Sequence, residues 1–196
     1  MKIIFFTSNL EKLNEARLAL APFGLDVEGK HFPFNEPSEG KMEEIALVKL
    51  SQIDSIDPDT PFIVDDSGIF FQAYTDFPGI LSGRVFRMIG YRGIDKLLQN
   101  EDRRAYFQGV IALKWKKDVK FFYGKTYGRI IEKMPKGVQS SYFPFDPIFM
   151  PDGADKVFAE MSKDEKLKYS YRRKALEELG KWIKERPSEE ETNAQI

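Results

Sequence analysis

No cysteine occurs among the 196 residues, which excludes disulfides, thiol nucleophiles and zinc–thiolate centres. The single histidine, His31, stands between Lys30 and Phe32 with no second imidazole to share a metal, and it reads as a surface or strand-edge residue. A net excess of charge of either sign is missing as well. Thirty Lys and Arg against 31 Asp and Glu leave a formal −1, so nothing draws the chain to nucleic acid. No apolar run approaches the roughly 20 residues of a membrane span. The apolar part of Met1-Lys2-Ile3-Ile4-Phe5-Phe6 is too short for a secretory signal and lacks a small-residue cleavage site. No segment repeats. A cytoplasmic protein with neither nucleic-acid nor membrane partners is expected. What is present is ordinary for a globular chain, with 42% hydrophobic and 31% charged residues and enough length for one domain with a sizeable core. Phenylalanine is plentiful at 17; most belong in the core, which leaves one or two to stack on a ligand.

The chain is organised around Phe62-Ile63-Val64-Asp65-Asp66-Ser67-Gly68. A short apolar run bounded by turn residues reads as a buried strand, with a polar cluster where it leaves the sheet. Adjacent side chains of an extended segment point to opposite faces, so Asp65 and Asp66 converge only if the chain turns. Gly68 permits such a turn and a close ligand approach. Two neighbouring carboxylates at a buried strand end repel unless a cation or proton compensates. A divalent metal is the simplest compensation, and a solvated turn is the plain alternative.

Upstream, residues 2–6 read as a strand without alternation, hence buried on both faces. Thr7-Ser8-Asn9 follows, with Asn9 as N-cap of a helix that places Leu13, Ala16 and Leu20 on one face and ends at Gly24. A strand, polar turn and helix N-terminus make an anion site. Lys12, in the first turn, is mildly unfavourable for the dipole, so it either faces an anion or is simply solvated. A second strand is expected over 25–32, a loop with Glu36 and Glu39 over 33–40, and a helix over 41–54. On that helix Met42, Ile45, Ala46 and Ile53 form a stripe that also contains Lys49; a lysine there either snorkels or reaches something negative, such as the Asp65-Asp66 strand end. Phe77-Pro78-Gly79-Ile80 reads as a rigid turn, and 93–99 as a short helix. Alternation over 105–115 predicts a long antiparallel strand, turning at Lys117-Asp118 into a partner over 119–125, with a third strand over 127–131. Residues 137–147 form an aromatic loop whose prolines fix its backbone angles. Ser162 and Glu165 fit a capping box. A helix over 170–185 points Ala175, Leu179 and Trp182 inward and opens on Tyr171-Arg172-Arg173-Lys174, a cationic start that suits an anion such as phosphate. The acidic stretch 187–196 reads as a disordered tail.

An anion-binding turn, an acidic strand end and a cationic helix start are the parts that hydrolysis of a nucleotide phosphate needs. At this point the chain resembles the inosine triphosphate pyrophosphatase family, whose members hydrolyse deaminated purine nucleoside triphosphates to monophosphate and pyrophosphate. Thr7-Ser8-Asn9-Leu10-Glu11-Lys12 looks like its phosphate-binding motif, and Val64-Asp65-Asp66-Ser67-Gly68 its acidic motif, with Phe77-Pro78-Gly79-Ile80 after it. Glu101-Asp102-Arg103-Arg104-Ala105-Tyr106-Phe107 matches the start of its long strand. Phe145-Asp146-Pro147-Ile148-Phe149, then Pro151-Asp152-Gly153, is similar to its base-recognition loop, and Phe158-Ala159-Glu160-Met161 leads into its last helical motif. The motifs keep the family's order from about Lys2 to Lys184.

The resemblance implies an elongated α/β fold of two lobes, with a parallel or mixed central sheet flanked by helices and an antiparallel section, as a single domain over 1–186. It implies cleansing of the nucleotide pool of ITP, dITP and XTP by a homodimer with Mg²⁺. Glu36 (or Glu39) and Asp66 would hold the metal with Asp65 nearby, and Asp66 would orient or deprotonate the attacking water. Thr7, Ser8, Asn9, Ser67, Lys12, Lys49 and Lys166 fall to the phosphates. Phe143 would stack on the purine beside Phe145, while Asp146, Tyr171 and Arg172 would line its polar edge.

Two departures fall in the base-binding part. The family's Gly-Phe-Gly-aromatic-Asp-Pro is here Tyr142-Phe143-Pro144-Phe145-Asp146-Pro147, and its Lys-Asn-x-x-Ser-His-Arg is Lys166-Leu167-Lys168-Tyr169-Ser170-Tyr171-Arg172. Weaker discrimination between 6-oxo and 6-amino purines is expected. Two competing readings are a nucleotide-binding member of the same fold that is non-catalytic or of altered specificity, and a dimeric aspartic peptidase built on Asp65-Asp66-Ser67-Gly68. The second makes no use of Lys12 or the C-terminal cations.

Overall fold

The computed structural model describes residues 1–133 and 143–186. Its first strand, β1 (Lys2–Phe6), is buried from Ile3 to Phe6 on both faces, as its unbroken apolar run predicts. Asn9 caps α1 (Leu10–Leu20), its side chain accepting from Glu11 N at 2.9 Å and Lys12 N at 3.2 Å. After a 3₁₀ turn at Ala21–Phe23, β2 (Asp26–Lys30) runs parallel to β1, and His31 just beyond it is exposed. Next come α2 (Met42–Ser51), β3 (Phe62–Phe71) and the two-residue β4 (Pro78–Gly79). They are followed by α3 (Ser82–Leu97), β5 (Arg104–Trp115), β6 (Asp118–Ile130) and β7 (Phe149–Pro151). Last are α4 (Lys163–Tyr169), opened by the expected Ser162–Glu165 capping box, and α5 (Tyr171–Glu185).

The strands form one mixed sheet in the order β2-β1-β3-β5-β6-β7, with β4 paired to β3. The three on the β2 side are parallel, and β3, β5, β6 and β7 pair antiparallel. This is the mixed α/β arrangement expected. On one face α1 and α5 pack with Ile3, Phe5, Ile63, Ile111 and Leu113. Ala175, Leu176 and Leu179 of α5 are wholly buried there, so truncating either leucine to alanine costs about 2–5 kcal/mol. On the other face α2 covers Ile4, Phe6, Phe62, Val64, Val110 and Ala112. Beyond the carboxylates a third cluster gathers Ile69, Phe71, Phe107, Phe145, Phe149 and Phe158.

Four expectations are corrected. β3 does not turn at Gly68. It runs on to Phe71, paired with β5 throughout, because Gly68 makes room for its own chain: a Cβ there would lie 2.0 Å from the Gly79 carbonyl. The two strands expected over 119–125 and 127–131 are a single β6. Gly124 reads as a break, but its missing side chain admits the start of α5, where a Cβ would lie 1.8 Å from the Tyr171 carbonyl oxygen. The short helix expected over 93–99 begins eleven residues earlier, at Ser82, and is kinked at Gly90. The helix expected over 41–54 spans Met42–Ser51. No helix of the described residues is long and apolar enough to cross a membrane. The 187–196 tail and Tyr142 lie outside the described residues.

Candidate active site

β1 pairs with β3 only at Ile4↔Phe62 and Phe5↔Ile63, and β4 rejoins that edge at Ile69↔Gly79 and Phe70↔Pro78. The edge of β3 between them, from Asp65 to Gly68, has no strand beside it among the described residues. The Thr7-Ser8-Asn9 turn leaves the C-terminal end of β1 next to this gap, the place where open α/β sheets bind ligands.

Because β3 stays extended, its two carboxylates face opposite sides of the sheet. Asp65 shares the face of α1 and α5. Its oxygens lie 2.9 Å from Lys12 Nζ and 3.0 Å from Arg172 Nε. Burial alone would raise the Asp65 carboxyl, but Lys12, Arg172 and Lys49 outweigh it and hold it well below the usual carboxylate range. Asp66 shares the face of α2. Its Oδ1 is 3.4 Å from Lys49 Nζ, which also lies 2.9 Å from Glu36 Oε1 and 3.0 Å from the Asp65 carbonyl. Burial, opposed by Lys49 and reinforced by Asp65, raises Asp66 to about 6. For Lys49 burial pulls the other way, and the Asp66, Asp65 and Glu36 carboxylates overcome it to keep the amine cationic.

The lysine on the apolar stripe therefore reaches the strand end as expected, and of the two loop glutamates it is Glu36 that meets it. Asp65 is not brought to the same side as Glu36 and Asp66, so it is no partner for them around one metal ion. Among the described residues no group of three or more Asp, Glu or His side chains is gathered as a ready metal site. Asp66 and Glu36 are nonetheless hard oxygen donors of the kind Mg²⁺ takes. Asp66 Oδ2 is buried with no hydrogen-bond partner among the described residues, a cost that an added cation or its water would relieve.

The cations read as waiting for phosphate have protein partners. Lys12 is held by Asp65. Arg172 Nη1 is 2.8 Å from Glu15 Oε2, and its Nη2 donates to the Tyr171 hydroxyl at 3.2 Å. Arg173 pairs with Glu177 at 2.6 Å, and Lys174 donates to the Lys125 carbonyl at 2.7 Å. The amides of Glu11 and Lys12 are taken by Asn9, and that of Asn9 by Thr7 Oγ1 at 3.1 Å. Ser8 is exposed, and Ser67 is half-buried on the Asp65 face. Glu15 was not foreseen. It accepts from both Arg172 and the Ser170 hydroxyl, which itself caps α5. The available signal was its spacing, three residues after Lys12 and so beside it on the helix.

Beyond this network lies a cleft of about 260 Å³ lined by Glu11, Asn14, Leu18, Phe143, Phe158 and Met161. A smaller recess continues inward to Asp146, Lys166, Tyr171 and Arg172. Lys166 pairs with Asp146 and lies 4.6 Å from the centre of the Phe143 ring. Burial raises the Asp146 carboxyl against the pull of Lys166. Tyr171 stacks on Phe107 with ring centres 5.3 Å apart. Phe145 is not part of the recess: its ring is buried against Phe71 and Phe86, where a ligand does not reach. Three of the five N–H groups of Arg172 are engaged by Asp65, Glu15 and Tyr171, so Lys166 is the donor best placed beside Asp146.

The model of the Ham1 family matches residues 3–182. The dITP/XTP pyrophosphatase of Thermococcus kodakarensis is 41% identical over 186 residues, covering 94% of this chain and 98% of that protein. The one from Hyperthermus butylicus is 40% identical over 184 residues, covering 93% and 95%. Among solved structures the Staphylococcus aureus Ham1 protein aligns at a TM-score of 0.73 and 28% identity, over 93% of this chain and 98% of that one.

Proposed function

This chain belongs to the Ham1 family, and we propose that it hydrolyses non-standard purine nucleoside triphosphates (dITP, ITP and XTP) to the monophosphate and pyrophosphate. The observation that carries this reading is the split of two adjacent carboxylates, Asp65 ionised among cations and Asp66 made basic, at an open strand edge beside a polar turn and an aromatic recess. Titratable neighbours pushed apart in this way serve as charge organiser and base.

Asp66 accepts a proton from the water that attacks the α-phosphorus. The new bond is from water oxygen to phosphorus, the bond to the α–β bridging oxygen breaks, and pyrophosphate leaves with that electron pair. Asp66 and Glu36 are the residues to hold Mg²⁺, which supplies charge neutralisation and lowers the pKa of bound water. Lys12 and Lys49 flank the gap in β3 from its two faces and meet the phosphates. Phe143 offers its face to the purine. Asp146 and Lys166 set an acceptor beside a donor, the complement of the N1–H and O6 edge of a 6-oxopurine. Adenine reverses both, and each unpaired buried group costs about 1–3 kcal/mol. Products from a panel of dITP, ITP, XTP, GTP and ATP, with and without Mg²⁺, test this directly. Pyrophosphate as first product is expected, and orthophosphate refutes the assignment.

A further inference from the structure

Lys49 is buried on α2, with 6% of its surface exposed. Its ammonium has three acceptors, Glu36 Oε1 at 2.9 Å, the Asp65 carbonyl at 3.0 Å and Asp66 Oδ1 at 3.4 Å. That matches its three N–H groups. It therefore bridges a carboxylate from the loop before α2 and one from β3, as a metal ion bridges ligands from separate segments. Arg172 bridges Asp65 and Glu15, and Lys12 holds Asp65, but neither touches this pair. They sit on the opposite face, on a carboxylate that Glu36 and Asp66 do not share.

We propose that the Lys49 ammonium is the resident counter-ion of Glu36 and Asp66, that a divalent cation competes with it for those oxygens, and that the displaced ammonium turns to substrate phosphate. Metal and triphosphate then bind cooperatively, with Lys49 as the coupling residue. The inference rests on the reading above in one respect, that Glu36 and Asp66 are the metal-holding pair.

Charge counting supports it. Two carboxylates and one ammonium leave a single negative charge; a divalent ion added without moving the lysine leaves a positive charge, with two like charges close together in a buried place. The four-carbon stem lets the ammonium swing while its root stays packed. A phosphate oxygen is the acceptor that replaces the lost carboxylate. Linkage makes the effect reciprocal: whatever factor the metal contributes to phosphate binding, phosphate returns to metal binding.

The test is Mn²⁺ binding to the nucleotide-free protein, read from the electron-spin resonance of free Mn²⁺, in the wild type, Lys49→Met and Asp66→Asn. Removing the competing cation should tighten Mn²⁺ binding, and a change of about 5-fold is the low end of ordinary couplings. Unchanged or weaker binding in Lys49→Met overturns the proposal. Undiminished binding in Asp66→Asn instead overturns the assignment of the metal pair, so the two failures are distinct. Calorimetry with pyrophosphate adds the second arm: the loss caused by Lys49→Met should be larger at saturating Mg²⁺ than in EDTA, and an equal loss counts against coupling. Should Lys49→Met not fold, ¹⁵N-lysine spectra of the wild type decide. The Lys49 ammonium resonance, assigned with Lys49→Arg, should shift or broaden when Mg²⁺ is added without nucleotide. A resonance unmoved at saturating Mg²⁺ refutes displacement.

Discussion

Asp65 and Asp66 are joined by one peptide bond, yet the Asp65 carboxylate lies 2.9 Å from Lys12 on one face of the sheet and the Asp66 carboxylate 3.4 Å from Lys49 on the other. The strand's two-residue period gives them separate surroundings. One stays charged and gathers cations from two helices; the other keeps an oxygen without a hydrogen-bond partner among the described residues and an affinity for protons.

That affinity has a definite sign in stability. Asp66 rises from 3.8 to about 6 in the folded chain, so the folded state binds the proton more tightly than the unfolded one. Stability of the metal-free protein should then fall as pH rises from about 4 to 6. The whole penalty, on the order of 3 kcal/mol for a shift of about two units, is present above that window. Asp66→Asn should melt higher than wild type at pH 7.5 in EDTA, and much closer to it at pH 4.5, while turnover drops about 10²–10⁴-fold. A melting difference independent of pH, or a near-normal rate, contradicts the role given to Asp66.

Arg172 is buried against both Asp65 and Glu15. Arg172→Met leaves Glu15 without its cation and Asp65 with Lys12 alone, and should cost about 3–5 kcal/mol in urea unfolding. Combined with Glu15→Gln, the loss should be smaller than the sum of the single losses, since both remove one contact. Strict additivity would separate the two residues.

Pro144 has no N–H and Tyr171 carries no charge near neutral pH. With Tyr171 stacked on Phe107 and accepting from Arg172, the polar edge of the recess rests on Asp146 and Lys166. Pro144→Gly with Tyr171→His should raise the ratio of kcat/KM for ITP over ATP by about tenfold, one hydrogen bond of about 1.4 kcal/mol. An unchanged ratio means the two departures are neutral.

Apolar surface remains on α3, where Met88 is 77% and Ile89 37% exposed. A homodimer is expected, with light scattering giving about twice the 22.7 kDa chain mass at micromolar concentration. A monomer mass refutes it.

Much of this was legible in the chain. β1, the Asn9 cap, α2 and α5 follow from local periodicity and capping, and the reach of Lys49 to the acidic strand end was legible from its standing polar on an apolar stripe. What stayed hidden depends on long-range approach. Gly68 and Gly124 look like breaks because sequence does not tell a glycine that turns the chain from one that admits another segment. The engagement of Lys12 and Arg172 by Asp65, and of Arg172 by Glu15, joins residues 53, 107 and 157 positions apart; nothing in a local window records it.

That separation bears on how the protein is made. α1 is synthesised long before α5, so Glu15 and the apolar face around Ala16 and Leu20 wait through most of translation for Arg172, Ala175 and Leu179. Until α5 docks, Asp65 lacks one of its two cations and the wall behind the recess is missing. A nascent or clipped chain without that helix exposes a sticky β1–α1 surface and leaves Glu15 without its cation. The Asp65 side of the site is thus completed last, by the contact between Glu15 and Arg172 that spans the most sequence.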